Sequence, residues 1–363
     1  MRLSKIFYII LIFILSSCAY KRSSSDFIFE NEYTVEGAQI LSEEFSINQL
    51  FAINNYLFGY QKTGQYFFKI YNIETLSEIG EICKRGKGPN EFPSFLILNQ
   101  YETCGIDLCI WVHDLNVGKL TKVNVKESLE KGETVVLNEI ATKSQSSFFN
   151  AFVIDSSLVV GRSTNSIIDM NRLQLYNPIN DSIIRTIPLF PKIDVTRSND
   201  DINFRMVKYN PLYVGSIGLK PDKTKIASAM TSFNRIDIFD VNGDLYKSIV
   251  EGPEIPEYLK NYLNSDEDNS ESTLQYFYSS IFTSNNFIYA LYIGQMLSEY
   301  GGKSIPTQLR IFDWEGNPLV RININDYLFS FTIDENRGLL FGVDYYNEKL
   351  LRYDIKRIIE KLK

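Results

Sequence analysis

A single histidine, His113, and four cysteines stand among 363 residues, so a zinc site built from Cys and His has no ligand set. Cys83, Cys104 and Cys109 show no metal-site spacing, and Cys18 falls in the N-terminal leader. Nor do the residues offer a nucleophile, a base and an orienting group as one catalytic set. Basic excess is missing too. Lys and Arg number 37 against 44 Asp and Glu, for a net charge of −7, and no basic aromatic patch offsets it, which excludes a nucleic-acid binder. The longest leader run falls short of the roughly 20 apolar residues of a spanning helix. A phosphate loop is absent as well. The glycines at 86 and 88 lack the G-x-x-x-x-G-K-[ST] spacing, and G-x-G-x-x-G fails because position 91 is Glu.

What is present suits a large sheet protein. Hydrophobic residues make up 44%, and 23 Tyr with 25 Phe favour strands over helices. The leader is a different matter. Arg2 and Lys5 precede an unbroken apolar run at 6–15, the pattern of a signal-peptide core. Leu15-Ser16-Ser17-Cys18 then resembles the lipobox of bacterial lipoproteins. That resemblance implies that residues 1–17 are removed, that Cys18 carries the lipid, and that 18–32 form a polar tether. Several acyl chains would hold the protein at a membrane. The implied address is the outer membrane, facing the periplasm or the cell surface. In an oxidising compartment Cys104 and Cys109 are placed to pair; the alternative is three buried, unpaired thiols.

One phrase recurs along the chain: an apolar alternating strand, an aromatic or apolar residue, then Asn or Asp and a turn. It reads Phe67-Phe68-Lys69-Ile70-Tyr71-Asn72, then a degenerate Leu120-Thr121-Lys122-Val123-Asn124, then Leu173-Gln174-Leu175-Tyr176-Asn177. Ile236-Asp237-Ile238-Phe239-Asp240, Leu309-Arg310-Ile311-Phe312-Asp313 and Leu350-Leu351-Arg352-Tyr353-Asp354 complete the series. Two further apolar runs precede the copies, giving about four strands per unit. The expectation is an all-β, six-bladed β-propeller over 33–363 with four-stranded antiparallel blades. The sixth copy lacks chain for a fourth strand, so the strand-like 33–41 should complete that blade and close the ring. A β-sandwich would need two domains, and no linker is visible. The tail at 355–362 could be a short helix.

Between the first two blades lies Gly86-Lys87-Gly88-Pro89-Asn90-Glu91-Phe92. Glycines, a proline and Asn90 make it a tight crossing, with Glu91 placed to accept backbone N–H bonds. The stretch resembles the G-x-G-P-x-E-F signature of the TolB-like six-bladed β-propeller lipoproteins of Gram-negative bacteria. The resemblance implies the fold and the address, and carries over no catalytic residue.

Propeller topology sorts the insertions. Those at 191–210 and 251–274 connect one blade to the next, and that at 295–307 joins a second strand to a third, so all three should rim one face. On that face the candidate ligand-binding residues are Arg85, Lys87, His113, Asp114, Arg162, Arg205, Arg235 and Tyr345. Residues 256–263 carry Tyr258, Leu259, Tyr262 and Leu263 on one helical stripe, as a lid would. The expected function is a non-enzymatic, monomeric binding or scaffolding module for an envelope protein, peptide or glycan, with no cofactor. The alternative is a propeller hydrolase, lactonase or lyase holding a divalent cation such as Ca²⁺ in the channel through Asp, Glu and Asn.

Overall fold

Every copy of the recurring phrase ends in an Asn or Asp that turns the chain. The computed structural model describes residues 28–42, 46–142, 148–193, 202–264, 273–296, 299, 305–344 and 346–363. In it the Asn72 side-chain oxygen accepts from the backbone N–H of Glu74 and Thr75, at 2.9 and 3.0 Å. Asn177, Asp240, Asp313 and Asp354 accept in the same way from Ile179, Asn242, Glu315 and Lys356, each at 2.9 Å. These Asx turns satisfy donors that a strand ladder leaves open. The residue before each turn is a core anchor: Tyr71, Val123, Tyr176, Phe239, Phe312 and Tyr353 are all buried.

Each phrase is the third strand of a four-stranded antiparallel blade. Blade 1 comprises Ile47–Ile53, Tyr56–Gln61, Tyr66–Asn72 and Glu78–Lys84. Blade 2 comprises Leu96–Cys104, Asp107–Asp114, Lys119–Asn124 and Val135–Ala141. Blade 3 runs through Phe148–Asp155, Leu158–Ser163, Asn171–Asn177 and Ser182–Pro188. Blade 4 uses Gly215–Leu219, Lys225–Met230, Arg235–Asp240 and Leu245–Val250. Blade 5 uses Gln275–Thr283, Phe287–Met296, Thr307–Asp313 and Pro318–Ile324. Blade 6 draws Ser330–Asp334, Leu339–Asp344 and Lys349–Asp354 from the C-terminal end.

The N-terminus supplies the missing strand, and one more. Strand β1 (Asn31–Val35) lies parallel to the outer strand of blade 5, from Asn31 opposite Val320 to Val35 opposite Ile324. Strand β2 (Ala38–Ile40) then pairs antiparallel with Lys349–Asp354 and becomes the fourth strand of blade 6. The segment expected to complete one blade therefore serves two, and its contacts begin before Tyr33. Phe29 is buried, with its ring 5.6 Å from that of Phe312. The chain latches blade 5 to blade 6 before entering blade 1.

Side chains stitch neighbouring first strands together. Gln100 exchanges two bonds with the Val153 backbone at 2.6 and 2.9 Å, and Thr332 Oγ1 accepts from Ala52 N at 3.0 Å. At the closure, Arg337 of blade 6 donates to Asn54 O at 2.9 Å and Asn55 Oδ1 at 2.7 Å, and pairs with Glu74 at 2.9 Å, all in blade 1.

Among the described residues, three helices of seven or eight residues decorate the ring, beside shorter helical stretches at 202–213. Helix α1 (Val125–Lys131) occupies the third-to-fourth-strand connection of blade 2. Asn124 caps it, accepting from Glu127 N at 3.0 Å and donating to the Glu127 carboxylate at 3.0 Å. That connection was expected to be a short turn, so not all elaboration lies on one face. Helix α2 (Glu257–Asn264) buries Leu259, Tyr262 and Leu263. Helix α3 (Lys356–Leu362) follows the last strand and buries Ile358 and Ile359. Cys104 and Cys109 form a disulfide across the first hairpin of blade 2, and Cys83 is a buried free thiol, so the all-unpaired alternative does not hold.

Candidate axial binding site

The crossing from blade 1 to blade 2 shows what its residues are for. The Glu91 carboxylate folds back over the loop, accepts from Gly88 N at 2.9 Å, and pairs with Lys84 at 2.8 Å. A Cβ at Gly86 would collide with that carboxylate, and one at Gly88 would come within 2.9 Å of it. Phe92 is buried, bonds Lys84 O through its N–H at 2.9 Å, and packs edge-on against Phe95 at 5.6 Å. Pro89 and Lys87 are exposed at the turn. Gly86, Gly88, Glu91 and Phe92 thus form a self-capped joint between blades.

The two blade-to-blade insertions flanking blade 4 pack on one another. The helical stretches Ile202–Phe204, Arg205–Tyr209 and Asn210–Tyr213 lie in the first, and α2 in the second. Tyr209, Leu212 and Tyr213 form one cluster with Leu259, Tyr262 and Leu263. Tyr258 Oη donates to Ser232 O at 2.9 Å, so α2 is a lid on the propeller, as its stripe suggests. Residues 194–201, 265–272, 297–298 and 300–304, within the three insertions, lie outside the described residues.

Beneath this face lies a cavity of about 440 Å³ on the axis, within the range of small-ligand sites. Every blade lines it through its first strand, with Gln49, Asn99, Asn150, Ser216, Ser280 and Ser330 as polar contributors. Because first strands enter from the blade-to-blade connections, residues near their starts place the cavity on the long-insertion face. Asn99 reaches it by a local device. Two residues, Leu98 and Asn99, bulge out of the ladder between Ile97 and Gln100, and Asn99 takes a φ of 51°. Tyr276, Tyr327 and Phe329 add aromatic surface, and Phe329 is exposed. The Asn150 side-chain oxygen is buried and has no hydrogen-bond partner among the described residues. Among the described residues, none that lines the cavity carries a charge.

That lining bears on the cation alternative. Ca²⁺ selects carboxylate-rich oxygen cages. The described cavity wall has no Asp or Glu, and no group of three or more His, Cys, Asp or Glu among the described residues could hold a metal. The described lining therefore offers amide and hydroxyl oxygens but no carboxylate to a divalent cation.

The charged candidates whose side chains are described sit elsewhere and are not gathered at one point. His113 is 1% exposed, and burial pushes its imidazole down to about 4, with Asp114 opposing the shift. Asp114 is buried and accepts from Ser94 Oγ at 2.7 Å and Asn116 N at 3.0 Å, closing the turn after the second strand of blade 2. Arg85 lies flat on the Phe67 ring at 3.7 Å. Arg235 is buried in a network. It bonds Asp237 at 2.8 Å, Glu254 at 3.2 Å and Ser248 at 2.7 Å, and stacks on Phe190 at 4.2 Å. Arg172 of blade 3 pairs with the same Asp237. Burial would raise that carboxyl, but the Arg172 and Arg235 guanidiniums outweigh it and hold Asp237 low. Arg162 is half-buried at the end of the second strand of blade 3. Tyr345 and the side chain of Arg205 lie outside the described residues, as does Cys18.

Six four-stranded blades around an axial cavity define a six-bladed β-propeller. The chain belongs to the TolB-like six-bladed propeller family, whose model matches residues 48–336. A solved structure of a member of the DUF4221 family from Bacteroides vulgatus is similar. It shares 12% identity over 91% of this chain and 94% of its own, with a TM-score of 0.55. A Bacteroides fragilis protein named for its inferred export shares 10% identity over 89% of this chain and 98% of its own, with a TM-score of 0.47. No curated protein matches the chain. At 12% identity the first of these likenesses shows the fold alone. Among the described residues no helix is long and apolar enough to cross a membrane.

Proposed function

We propose that this chain is a lipid-anchored binding module of the cell envelope, and that its axial cavity takes the hydroxyl-rich end of a glycan. One observation carries the reading: a cavity of about 440 Å³ whose described lining is uncharged, with amides and hydroxyls from all six blades and an exposed aromatic at its side. Sugar hydroxyls need neutral donors and acceptors in convergent positions, and their apolar faces stack on aromatic rings. A charged peptide would find no counter-charge on the described wall. The anchor rests on the lipobox at Cys18, and fatty-acid labelling of the wild type and of Cys18→Ala tests it.

The binding test is calorimetry of the purified chain against neutral and acidic envelope oligosaccharides, with unstructured peptides as the comparison. Saturable binding of an oligosaccharide, abolished by Ser280→Trp with the melting temperature unchanged, is the expected result. Peptide binding that survives Ser280→Trp, with no response to any oligosaccharide, would overturn the glycan reading.

A further inference from the structure

Between blades 3 and 4 is a second, much smaller void. It holds about 10 Å³, room for one water-sized group. Arg162, Ser166, Asn171, Arg172 and Tyr213 line it. Asn171 is 2% exposed, and both its amide nitrogen and its amide oxygen are buried without a partner among the described residues. An amide left so is costly, since it loses water and gains nothing. The charges do not balance either. Arg172 shares Asp237 with Arg235, which also pairs with Glu254, so the guanidinium left over is that of Arg162. Among the described residues no carboxylate pairs with Arg162, whose guanidinium lies 6.0 Å from the Phe149 ring. Burial, and then the nearby Arg172, push Arg162 below the usual guanidinium value. Arginine does not relieve such a position by losing its proton.

We propose that this recess is a small-anion site, taking a halide or one oxygen of a carboxylate between Arg162, Asn171 and Arg172. A bound water would satisfy the amide, but only an anion also answers the surplus guanidinium. The site is independent of the glycan reading, although the two voids adjoin: Gly215 and Ile217 line both. The anion therefore sits no more than one strand from the axis, where a ligand's carboxylate could also supply it.

The test is thermal unfolding of the full chain in detergent at constant ionic strength, with isethionate exchanged stepwise for chloride or for acetate. The expected result is a rise of about 2–4 °C that saturates. Arg162→Met should abolish it. Asn171→Asp builds the anion in, so it should raise the melt without added anion and remove the response. Saturation by chloride alone assigns a free halide; saturation by acetate assigns a carboxylate. No saturable response to either anion, or the full response kept in both variants, overturns the proposal and leaves a water in the recess. Oligosaccharide calorimetry on Arg162→Met separates the two sites, since neutral-glycan binding should persist there.

Discussion

His113 carries the clearest pH signature in the molecule. It is 1% exposed, neither ring nitrogen has a hydrogen-bond partner among the described residues, and its value falls to about 4. The folded state therefore binds this proton more weakly than the unfolded chain, whose histidine titrates near 6.5. Stability is full above that value and declines as pH falls towards about 4, by about 3 kcal/mol if the whole shift is realised. Denaturant unfolding at pH 7 and at pH 4.5 should show this decline in wild type and a smaller one in His113→Leu. Equal declines would remove His113 as its source. Gly86 makes a second prediction of this kind. Gly86→Ala drives a methyl into the Glu91 carboxylate and should cost about 1–3 kcal/mol. In a Glu91→Ala background the penalty should shrink, because the colliding atoms are gone; an additive double mutant would show that the loop strain comes from elsewhere. The turn role of Glu91 was readable from Gly, Pro and Asn around it, whereas the burial of His113 was not. A lone histidine beside an aspartate looks alike on a surface and in a core until the strands on either side are placed.

At the scale of elements, legibility followed local chemistry. The third strands announced themselves because each couples a buried anchor to an Asx turn, and both halves of that signal are short-range. Helix α1 was missed although Asn124 and Glu127 spell a capping box, since the degenerate phrase before it was read as ending in a plain turn. The first strands carry no recurring phrase. Their polar residues face the axis only because six blades converge there, so the cavity was invisible in a linear reading. The latch was half legible: a spare N-terminal strand was expected, and its division into β1 and β2 was not. Deleting residues 28–41 removes both strands together with the buried Phe29 and Ile40. Burial of those two side chains alone suggests a loss of roughly 3–6 kcal/mol. The deletion also leaves the outer edge of blade 6 unpaired, so self-association should appear with the lower melt. Light scattering and calorimetry on the deleted chain check both; an unchanged melt would mean that the ring closes without its latch.

The whole molecule has two faces, and the direction of β1 bears on which one an anchor at Cys18 would bring to a membrane. β1 runs parallel to the outer strand of blade 5, which starts at the turn after Asp313 and climbs towards the next blade. The chain therefore arrives at Asn31 on the face of the third-to-fourth-strand turns, opposite the cavity mouth. Ten residues separate Cys18 from the start of the described chain and reach at most about 36 Å, so an anchor at Cys18 would hold that face near the bilayer. The long-insertion face would then look outward, with its mouth open to a ligand too large to slip beneath the ring. Single cysteines carrying a fluorophore can read this orientation in vesicles whose lipids bear a nitroxide quencher. A label at Glu315, on the turn of blade 5, should be quenched strongly, and one at Glu257, at the start of α2 on the opposite face, should be quenched little. Both side chains are exposed, at 60% and 74%, so the label itself should leave the fold alone. Stronger quenching at Glu257 would place the cavity against the membrane, and the ligand would then have to be a component of the bilayer surface rather than of the space beyond it.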